Sequence, residues 1–301
     1  MANKVYDLLI VGGGIAGITA AIYAARKEMK FAIIAPEFGG EIVNTSFVEN
    51  WPGIKSIKGR DLANTYIEHM KSLNVEIIED AAIDVKYDEE HFWVTTYGEV
   101  YESKTIIWAT GSQYKELGVL GEGELRSRGV TYCSICDGPL YKHKVVAIVC
   151  VGNNALTSAI YMANIAKKVY VLVRSDNIRG DPVLLDALKK HLNVEIFINS
   201  KVKSINGQKE VHSITLENGQ EVEVNGVIIN VGYTPITEPV KNIVELNSYG
   251  YVEVDWKGMS KTPGLFAAGD VVFSPYKQLV ISASDGAKAA LGAYDYLSAK
   301  K

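Results

Sequence analysis

The chain contains two segments in which an apolar strand leads directly into a glycine-rich turn and then a helix. In the first, Val5–Val11 is an almost continuous apolar run, followed by Gly12–Gly17 and an alanine-rich stretch that predicts a helix to about Arg26. Such a run is typical of a parallel strand buried on both faces. Phe31–Ala35 predicts the next parallel strand, so this segment reads as one β-α-β unit.

A second unit of the same kind begins at Lys144. Its pattern predicts a strand, a turn, a helix and a further strand at Val145–Val149, Cys150–Ala155, Leu156–Ala166 and Val169–Val173. Two such units predict an α/β protein with two Rossmann-like, three-layer nucleotide-binding domains. The alternating stretches Phe92–Thr96 and Ser213–Glu217 predict hairpin strands, which we expect in crossover sheets rather than in separate domains.

Composition narrows the class of protein. Hydrophobic residues make up 48% of the 301 residues and the formal net charge is -4, which disfavours disorder and a nucleic-acid-binding surface. Three cysteines favour a reducing compartment. The first residues lack a secretory-signal pattern, and no apolar run approaches the ~20 residues that span a bilayer. We therefore expect a cytoplasmic protein that does not bind nucleic acid or membrane.

The first glycine turn has the spacing of a dinucleotide site. Gly12 would permit the tight bend, Gly14 would let a pyrophosphate approach the backbone, and Gly17 would let helix and strand pack closely. A purely structural turn is the alternative, but the position between an apolar strand and an alanine-rich helix favours dinucleotide binding. After the next strand, Glu37 is the candidate for a ribose contact.

A pair of cysteines lies between the two units, at Cys133 and Cys136. So few cysteines cannot form a disulfide framework, and without a second pair or a nearby His we expect no metal site. The spacing favours thiol–disulfide exchange, which requires a thiolate and a second thiol that resolves the mixed disulfide. Asp137 is adjacent and suited to moving protons, although it could instead be a helix N-cap. We expect Cys150 to be a packed residue rather than a third redox centre.

Five motifs occur in a recognisable order: the first glycine turn, Glu49–Gly53, Ala109–Gly111, Cys133–Gly138 and Gly269–Asp270. In this order the chain resembles the low-molecular-weight thioredoxin reductases along essentially its whole length. The resemblance implies a discontinuous FAD domain, residues 1–112 and 244–301, with an inserted domain of the NAD(P)H type, residues 113–243, that carries the dithiol. It also implies a homodimer, a rotation of the inserted domain, and a thioredoxin or thioredoxin-like partner.

The same resemblance distributes roles among residues. Cys136 would be the sulfur next to the flavin, Cys133 the outer sulfur that attacks the substrate disulfide, and Asp137 the proton donor and acceptor. Glu41 stands where the family usually has Gln, and Lys277 where it usually has Arg, and both keep hydrogen-bonding capacity. The FAD-binding residues implied are Gly12, Gly14, Ala16, Gly17, Glu37, Gly40, Glu41, Asn50, Ala82, Thr110, Gly111, Asp270, Lys277 and Gln278.

The second nucleotide turn departs from this family. Cys150 stands at a turn glycine, although Gly152 and Ala155 are kept, and Thr157 and Ser158 stand where relatives have an acidic pair. In the family, the pattern His-Arg-Arg-x-x-x-Arg clamps the 2′-phosphate of NADPH. Residues Val173–Arg179 stand at this position here and lack two of the polar groups of that pattern. Each lost charge-assisted contact weakens binding by roughly 1.5 to 3 kcal/mol.

These departures favour an electron donor other than NADPH. Eroded motifs of this kind resemble a ferredoxin-dependent flavin thioredoxin reductase, in which an iron-sulfur protein reduces FAD directly. The alternatives are an ordinary NADPH-dependent thioredoxin reductase with a divergent site, and a flavin-bound redox sensor with little turnover.

Overall fold

The computed structural model describes residues 4–45, 47–150 and 152–300. The chain forms two compact units. Unit 1 contains the residues up to Gln113 and from Thr234 onward, and unit 2 runs from Tyr114 to Tyr233. Each unit has parallel and antiparallel sheets together with helices, so both are α/β structures of the Rossmann-like kind that the sequence predicts.

Along the chain, the first part of unit 1 contains β1 (Val5–Tyr6), β2 (Leu8–Val11), α1 (Ile15–Arg26), β3 (Phe31–Ile34), α2 (Gly59–Ser72), β4 (Glu76–Ile78), β5 (Ala82–Tyr87), β6 (Phe92–Thr96), β7 (Val100–Ser103) and β8 (Ile106–Trp108). Strand β9 (Ser112–Tyr114) contains the passage into unit 2.

The elements of unit 2 are β10 (Val130–Thr131), α3 (Ser134–Asp137), β11 (Val145–Cys150), α4 (Gly152–Ala163), β12 (Lys168–Leu172), α5 (Pro182–Lys189), β13 (Val194–Phe197), β14 (Val202–Gly207), β15 (Val211–Leu216), β16 (Glu221–Glu223) and β17 (Gly226–Asn230). Strand β18 (Tyr233–Pro235) returns the chain to unit 1, which ends with β19 (Leu265–Ala267) and α6 (Leu279–Ala299). Short 3-10 turns occur at Gly40–Asn44, Gly138–Tyr141, Glu238–Val240 and Gly269–Val271.

Each unit is built on a five-stranded parallel sheet. The strand order is β19-β8-β2-β3-β4 in unit 1 and β10-β17-β11-β12-β13 in unit 2. The continuous apolar strands follow from this position, because a central parallel strand is covered on both faces. The alternating strands form the second sheets, β1-β7-β6-β5 in unit 1 and β14-β15-β16 in unit 2.

The predicted first strand is divided at Asp7. Val5–Tyr6 pairs with Glu102–Ser103 in the second sheet, whereas β2 joins the parallel sheet. The Asp7 carboxylate accepts a hydrogen bond from Lys104 Nζ at 2.8 Å, and its backbone carbonyl accepts one from Thr105 Oγ1 at 2.6 Å. One polar residue therefore passes the chain from one sheet to the other, which the nearly continuous apolar run concealed.

Helix α4 begins four residues before the predicted Leu156 and ends three residues before Ala166. Its early end depends on a residue distant in sequence, because Asn193 Nδ2 donates to the carbonyl oxygens of Ala163 (2.8 Å) and Ala166 (3.1 Å). These bonds satisfy carbonyls that a continuing helix would otherwise use.

The boundary after the second unit differs from the predicted one. Residues 234–243, expected in the inserted domain, belong to unit 1. Val240 is buried in a core of unit 1 together with Val85 and Val252, and the Ile236 carbonyl accepts hydrogen bonds from Trp108 Nε1 and Thr110 Oγ1 at 2.8 and 2.7 Å. The packing of this segment could not be read from its short apolar pattern.

Small residues let α1 and α6 approach closely in unit 1. The buried face of α1 consists mainly of alanines, and the buried face of α6 includes Gly286, Ala289, Ala290 and Ala293. A Cβ atom on Gly286 would lie 2.1 Å from the carbonyl oxygen of Ala16. This contact brings the N-terminal half of α6 to the first turn of α1. None of the helices that the structure describes is both long enough and apolar enough to cross a bilayer.

Candidate functional site

The three glycines of the first turn have different surroundings, which are compatible with the separate roles that their spacing predicts. Gly12 has φ +124°, and a Cβ atom there would lie 2.2 Å from the Ala109 carbonyl oxygen. A Cβ on Gly17 would lie 1.9 Å from the Gly12 carbonyl oxygen, so this glycine permits the helix to pack on the turn. Gly14 is different, because a Cβ there would meet nothing nearer than the Gly40 Cα at 4.0 Å. The space beside Gly14 at the N-terminus of α1 is therefore open.

A second turn approaches the same helix end. A Cβ atom on Gly269, which has φ +76°, would lie 2.9 Å from the Ala16 Cβ. Ala16 is buried, its small side chain admits Gly269, and its backbone is approached by Gly286. Asp270 follows at once, so the predicted Gly-Asp motif and the predicted glycine turn, far apart in sequence, come together in unit 1.

The Asp270 side chain is in a largely desolvated position. Burial raises the pKa of this carboxyl, while the charge of Lys277 and a hydrogen bond from Ser282 Oγ (3.2 Å) oppose the rise. Burial likewise lowers the pKa of Lys277, with Asp270 and Asp285 acting in the opposite direction. A partly buried acid in the turn that follows a parallel strand has the position expected of a group that hydrogen-bonds a sugar-alcohol hydroxyl.

The Lys277 ammonium group donates its hydrogen bonds to the backbone of the Asp270 turn. Its Nζ donates to the carbonyl oxygens of Asp270 (2.9 Å) and Val272 (3.2 Å) and lies 4.2 Å from the centroid of the Tyr251 ring. Lys277 therefore fixes the shape of the turn that carries Asp270.

Two further predicted residues contact each other although they are far apart in sequence. Asn50 Nδ2 donates to Gln278 Oε1 at 3.1 Å, and Gln278 is the residue that precedes α6. This bond connects the Glu-Asn-Trp-Pro-Gly segment to the start of α6. Thr110 uses its hydroxyl to bind the Ile236 carbonyl, whereas Gly111 has φ +74° and no atom within 4 Å of a Cβ position. The Ala-Thr-Gly segment thus combines an anchor with an open backbone position.

The remaining predicted cofactor residues are placed less uniformly. Gly40 approaches the first turn, because its Cβ would lie 3.0 Å from the Gly14 Cα. The backbone of Glu37 lies against the first turn, because its carbonyl oxygen would be 2.2 Å from a Cβ on Gly13. The Glu37 side chain is exposed. Glu41 is exposed, and its charge contributes to the raised pKa of Asp270. Ala82 begins β5, where it pairs with Thr96 and packs against a core of unit 1.

Taken together, unit 1 fits a flavin dinucleotide. The open side of Gly14 at a helix N-terminus suits a pyrophosphate, and the backbone N–H groups there are donors for its oxygens. Asp270 supplies a buried acceptor on the adjacent turn. The tight bend at Gly12 and the close packing at Gly17 are present in the same turn, whereas pyrophosphate binding at Gly14 stays a prediction.

In unit 2, Cys133 and Cys136 are joined by a disulfide bond, with their Cα atoms 5.3 Å apart. Cys133 precedes the four-residue helix α3, and its Sγ accepts a hydrogen bond from the Cys136 N–H at 3.1 Å. Such a donor favours a thiolate on that sulfur after reduction. Both cysteines are partly exposed.

Asp137 is held directly behind the dithiol. Thr131 Oγ1 donates to its Oδ2 and accepts from the Cys133 N–H at 3.2 Å. Among the described residues, Asp137 Oδ1 is buried and has no hydrogen-bond partner. Burial raises the pKa of Asp137, and the bond from Thr131 only partly offsets this. The side chain does not cap α3, since the cap is Cys133 Sγ, and a carboxyl with one free oxygen is suited to proton transfer.

Two other contacts hold the ends of the dithiol turn. The Tyr132 hydroxyl donates to Glu122 Oε1 at 2.8 Å, and Glu122 also accepts from the backbone N–H groups of Leu117 and Gly118 at 3.0 and 2.8 Å. Ser134 Oγ and Ser158 Oγ are 2.8 Å apart, and both side chains are buried.

The second glycine turn keeps only part of a nucleotide site. Gly152 has φ +76°, and no atom of the described, non-adjacent residues lies within 4 Å of a Cβ position there, so one open approach remains. In contrast, Val173 is buried in the core of unit 2, and Ser175 Oγ donates to the Asn177 carbonyl at 2.7 Å. The side chain of Cys150 lies outside the described part of the chain, so its predicted packing stays a prediction.

The chain segment after β12 is also electrically neutral. Arg174 and Arg179 are balanced there by Asp176 and Asp181. Asp181 N–H donates to Asn153 Oδ1 at 2.7 Å, which fastens this segment to the first turn of α4. The residues after β12 thus form a loop with no net charge that is held by hydrogen bonds within itself and to Asn153. No three His, Cys, Asp or Glu side chains in the described ranges group in a way that could hold a metal ion.

Sequence reasoning missed several residues that support these sites. Ser282, Thr131 and Glu122 all bond a predicted site residue or its neighbour. Of these, only Thr131 had a usable signal, because it lies two residues before Cys133 at the end of a strand. Ser282 and Glu122 act across turns of the chain, and neither belongs to a local motif.

Comparisons with known proteins agree with this geometry. The family model described as pyridine nucleotide-disulphide oxidoreductase matches residues 6–288. An NADH dehydrogenase of Bacillus subtilis is 39% identical over 97% of this chain, which spans 58% of that relative's length. A thioredoxin reductase structure from Streptococcus pyogenes is 37% identical, with a TM-score of 0.94 over 99% of this chain and 100% of that one. A ferredoxin-flavin thioredoxin reductase from Clostridium acetobutylicum is 28% identical, with a TM-score of 0.55 over 98% and 99% of the chains.

Replacing Gly14 by Val tests the open position. Its backbone is extended, with φ -79°, so valine fits the fold but places methyl groups where the pyrophosphate must lie. We expect a folded, colourless protein that gains no flavin absorbance when FAD is added. Gly17→Ala serves as a contrast rather than a control: its Cβ would meet the Gly12 carbonyl at 1.9 Å, so this variant should lower the thermal midpoint, which Gly14→Val should not. A yellow Gly14→Val protein with normal FAD content would contradict the assignment.

Proposed function

Because the chain belongs to the pyridine nucleotide-disulphide oxidoreductase family, we propose that it is a flavoprotein disulfide reductase whose Cys133–Cys136 dithiol reduces a thioredoxin or thioredoxin-like protein. FAD is the cofactor of this family of flavoproteins. The observation that carries the proposal is the partly exposed disulfide with a buried, half-satisfied carboxyl beside it.

Unit 1 would hold the FAD. The glycine turn at Gly12 and Gly14 would bind the pyrophosphate, Asp270 would accept from the ribityl chain, and the Asn50–Gln278 pair would lie along the flavin. When bound, FAD would supply the redox chemistry that links the electrons of the donor to the two-electron thiol–disulfide couple. Ser282 donates to the Asp270 carboxylate and Lys277 to the Asp270 backbone carbonyl, so both hold the turn that would present this acid to the ribityl chain.

The dithiol of unit 2 would carry out the exchange. The Cys133 thiolate attacks one sulfur of the partner disulfide and forms a mixed disulfide with it. The other partner sulfur leaves as a thiolate. Cys136 then attacks the Cys133 sulfur, restoring the Cys133–Cys136 disulfide and releasing the second partner thiol. Asp137 would take and return the protons that the two thiols and the leaving thiolate require. The Cys136 N–H, which bonds Cys133 Sγ, supports Cys133 as the attacking sulfur.

The electron donor would be other than NADPH, and reduced ferredoxin is our candidate. Support comes from the buried Val173, the locally bonded Ser175 and the neutral loop fastened to Asn153. With two clamp groups lost at roughly 1.5 to 3 kcal/mol each, NADPH should bind at least about a hundred-fold more weakly than to an intact site.

A second candidate is a reductase that uses a pyridine nucleotide through a divergent site. The open backbone at Gly152 favours it, and so does the NADH dehydrogenase among the relatives. Since this chain spans only part of that relative, its activity is not carried over. The homodimer, the cytoplasmic location and the assignment of unit 2 as an NAD(P)H-type domain stay predictions.

The cysteine assignment predicts that Cys133→Ser abolishes reduction of a thioredoxin disulfide, because the attacking thiolate is gone. The flavin should remain reducible by dithionite, which serves as the control for an intact cofactor. Turnover is measured by the appearance of thioredoxin thiols under each reductant. Continued turnover by this variant would show that Cys133 is not the outer sulfur.

The proton-transfer role predicts a different outcome for Asp137→Asn. Burial raises the pKa of Asp137, so the protonated carboxyl contributes to the stability of the fold at low pH. This contribution is lost as the pH rises through the pKa of the folded state. A neutral amide should therefore leave stability unchanged or higher above that pH, while thioredoxin reduction falls by about 100-fold or more. Thermal midpoints and rates across pH test this, with the exposed Asp176→Asn as control. Normal activity in Asp137→Asn would refute the role.

The donor is tested by anaerobic stopped-flow measurement of flavin bleaching. At equal concentrations, we expect reduced ferredoxin to bleach the flavin at least about 100-fold faster than NADPH or NADH, each tenfold ratio corresponding to about 1.4 kcal/mol. Dithionite checks that the flavin itself is competent. Rapid bleaching by micromolar NADPH would return the protein to the pyridine-nucleotide reductases, and bleaching by neither donor would favour the redox-sensor alternative.

A further inference from the structure

A buried pair of hydroxyls connects the dithiol turn to the helix behind it. Ser134 Oγ donates to Ser158 Oγ at 2.8 Å, and the two side chains are only 5% and 9% exposed. Ser134 is the first residue of α3, and Ser158 lies in the middle of α4. We refer to this contact as the serine tether.

The two ends of the tether differ in rigidity. Helix α3 has four residues, too few to be stable by its own hydrogen bonds. Helix α4 has twelve, and its Leu156, Ala159 and Met162 are fully buried in the core of unit 2. The tether therefore holds a weak turn against a rigid support, at the residue next to Cys133.

The disulfide bond holds the turn closed while it is present, but reduction removes that constraint. Two thiols on a loose turn separate more often than two thiols on a held turn, which lowers their effective concentration toward each other. A contact that keeps the reduced turn closed therefore favours the disulfide over the dithiol. It makes the dithiol the stronger reductant.

We propose that Ser158 is a positioning residue that, through Ser134, lowers the reduction potential of the Cys133–Cys136 couple. This rests on the proposed function only in treating the two cysteines as the redox couple, and it requires neither a particular donor nor a particular partner. It gives Ser158 a task within unit 2, where the sequence indicated only a missing charge.

The reduction potential is measured on the holoenzyme by equilibration with dithiothreitol of graded oxidation. In this equilibrium the Cys133–Cys136 disulfide takes two electrons and two protons and becomes two thiols, while dithiothreitol becomes its cyclic disulfide. Acid quenching and thiol labelling, read by mass spectrometry on the peptide with both cysteines, give the oxidised fraction. Flavin colour does not enter the readout.

We expect Ser158→Ala to shift this equilibrium about fivefold toward the dithiol, which is about 20 mV for a two-electron couple. Ser134→Ala and the double variant should show the same shift, because one missing hydroxyl already breaks the tether. The thermal midpoints should follow a different order. Each single variant leaves a buried hydroxyl unpaired and should have a lower midpoint than the wild type, whereas the midpoint of the double variant should lie above those of the single variants.

The matched control is Ser213→Ala. Ser213 is also buried in unit 2 and bonds Glu221 Oε1 at 2.5 Å and Asn206 Nδ2 at 3.1 Å, within the β14-β15-β16 sheet. It should lose stability without changing the equilibrium constant. A shift below twofold in Ser158→Ala, or a double variant whose shift is the sum of the two single ones, would overturn the proposal.

Failure of the tether and failure of the proposed function give different results. If the tether does not set the potential, the variants match the wild type with dithiothreitol while thioredoxin reduction proceeds normally. If the function is wrong, thioredoxin is not reduced by the wild type, whatever the potential. A normal rate of thioredoxin reduction with a shifted potential would support both.

Discussion

The close contact of the first glycine turn with its own helix determines the candidate cofactor site. Gly17 lies so near the Gly12 carbonyl that no side chain fits between them, and Gly286 lies equally near Ala16. These contacts draw α1 and α6 together and set the Gly269 turn against the start of α1. Without them, the open space at Gly14 and the buried Asp270 carboxyl would not belong to one site. A larger residue at either glycine would have to displace backbone atoms. No flexible side chain lies there that could move aside instead.

Several polar contacts hold the dithiol segment of unit 2. Thr131 binds both Asp137 and the Cys133 N–H, Tyr132 binds Glu122, and Ser134 binds Ser158. Each contact involves a residue within the segment from 131 to 137, so a short irregular stretch is fixed at several points. The free Oδ1 of Asp137 is the exception. A buried polar atom without a partner is costly in a folded protein, and chemistry at the adjacent sulfurs gives a reason for it.

Much of this arrangement follows from sequence, for identifiable reasons. The roles of Gly12, Gly14 and Gly17 depend on local backbone geometry, which spacing encodes. The division of the first strand at Asp7, the early end of α4 and the place of residues 234–243 depend on distant partners, namely Lys104, Asn193 and the core around Val240. No local pattern contains such partners. The Ser134–Ser158 contact was hidden for the same reason, because the sequence shows two serines and not their approach.

The central claim is that one chain contains two redox centres that share electrons, a flavin in unit 1 and the Cys133–Cys136 couple in unit 2. Anaerobic titration of the FAD-loaded protein with dithionite, followed by flavin absorbance and thiol labelling, tests this most directly. The account predicts uptake of about four electrons per chain, two for each centre, with new thiols appearing at Cys133 and Cys136. Uptake of about two electrons with the disulfide still intact would contradict it.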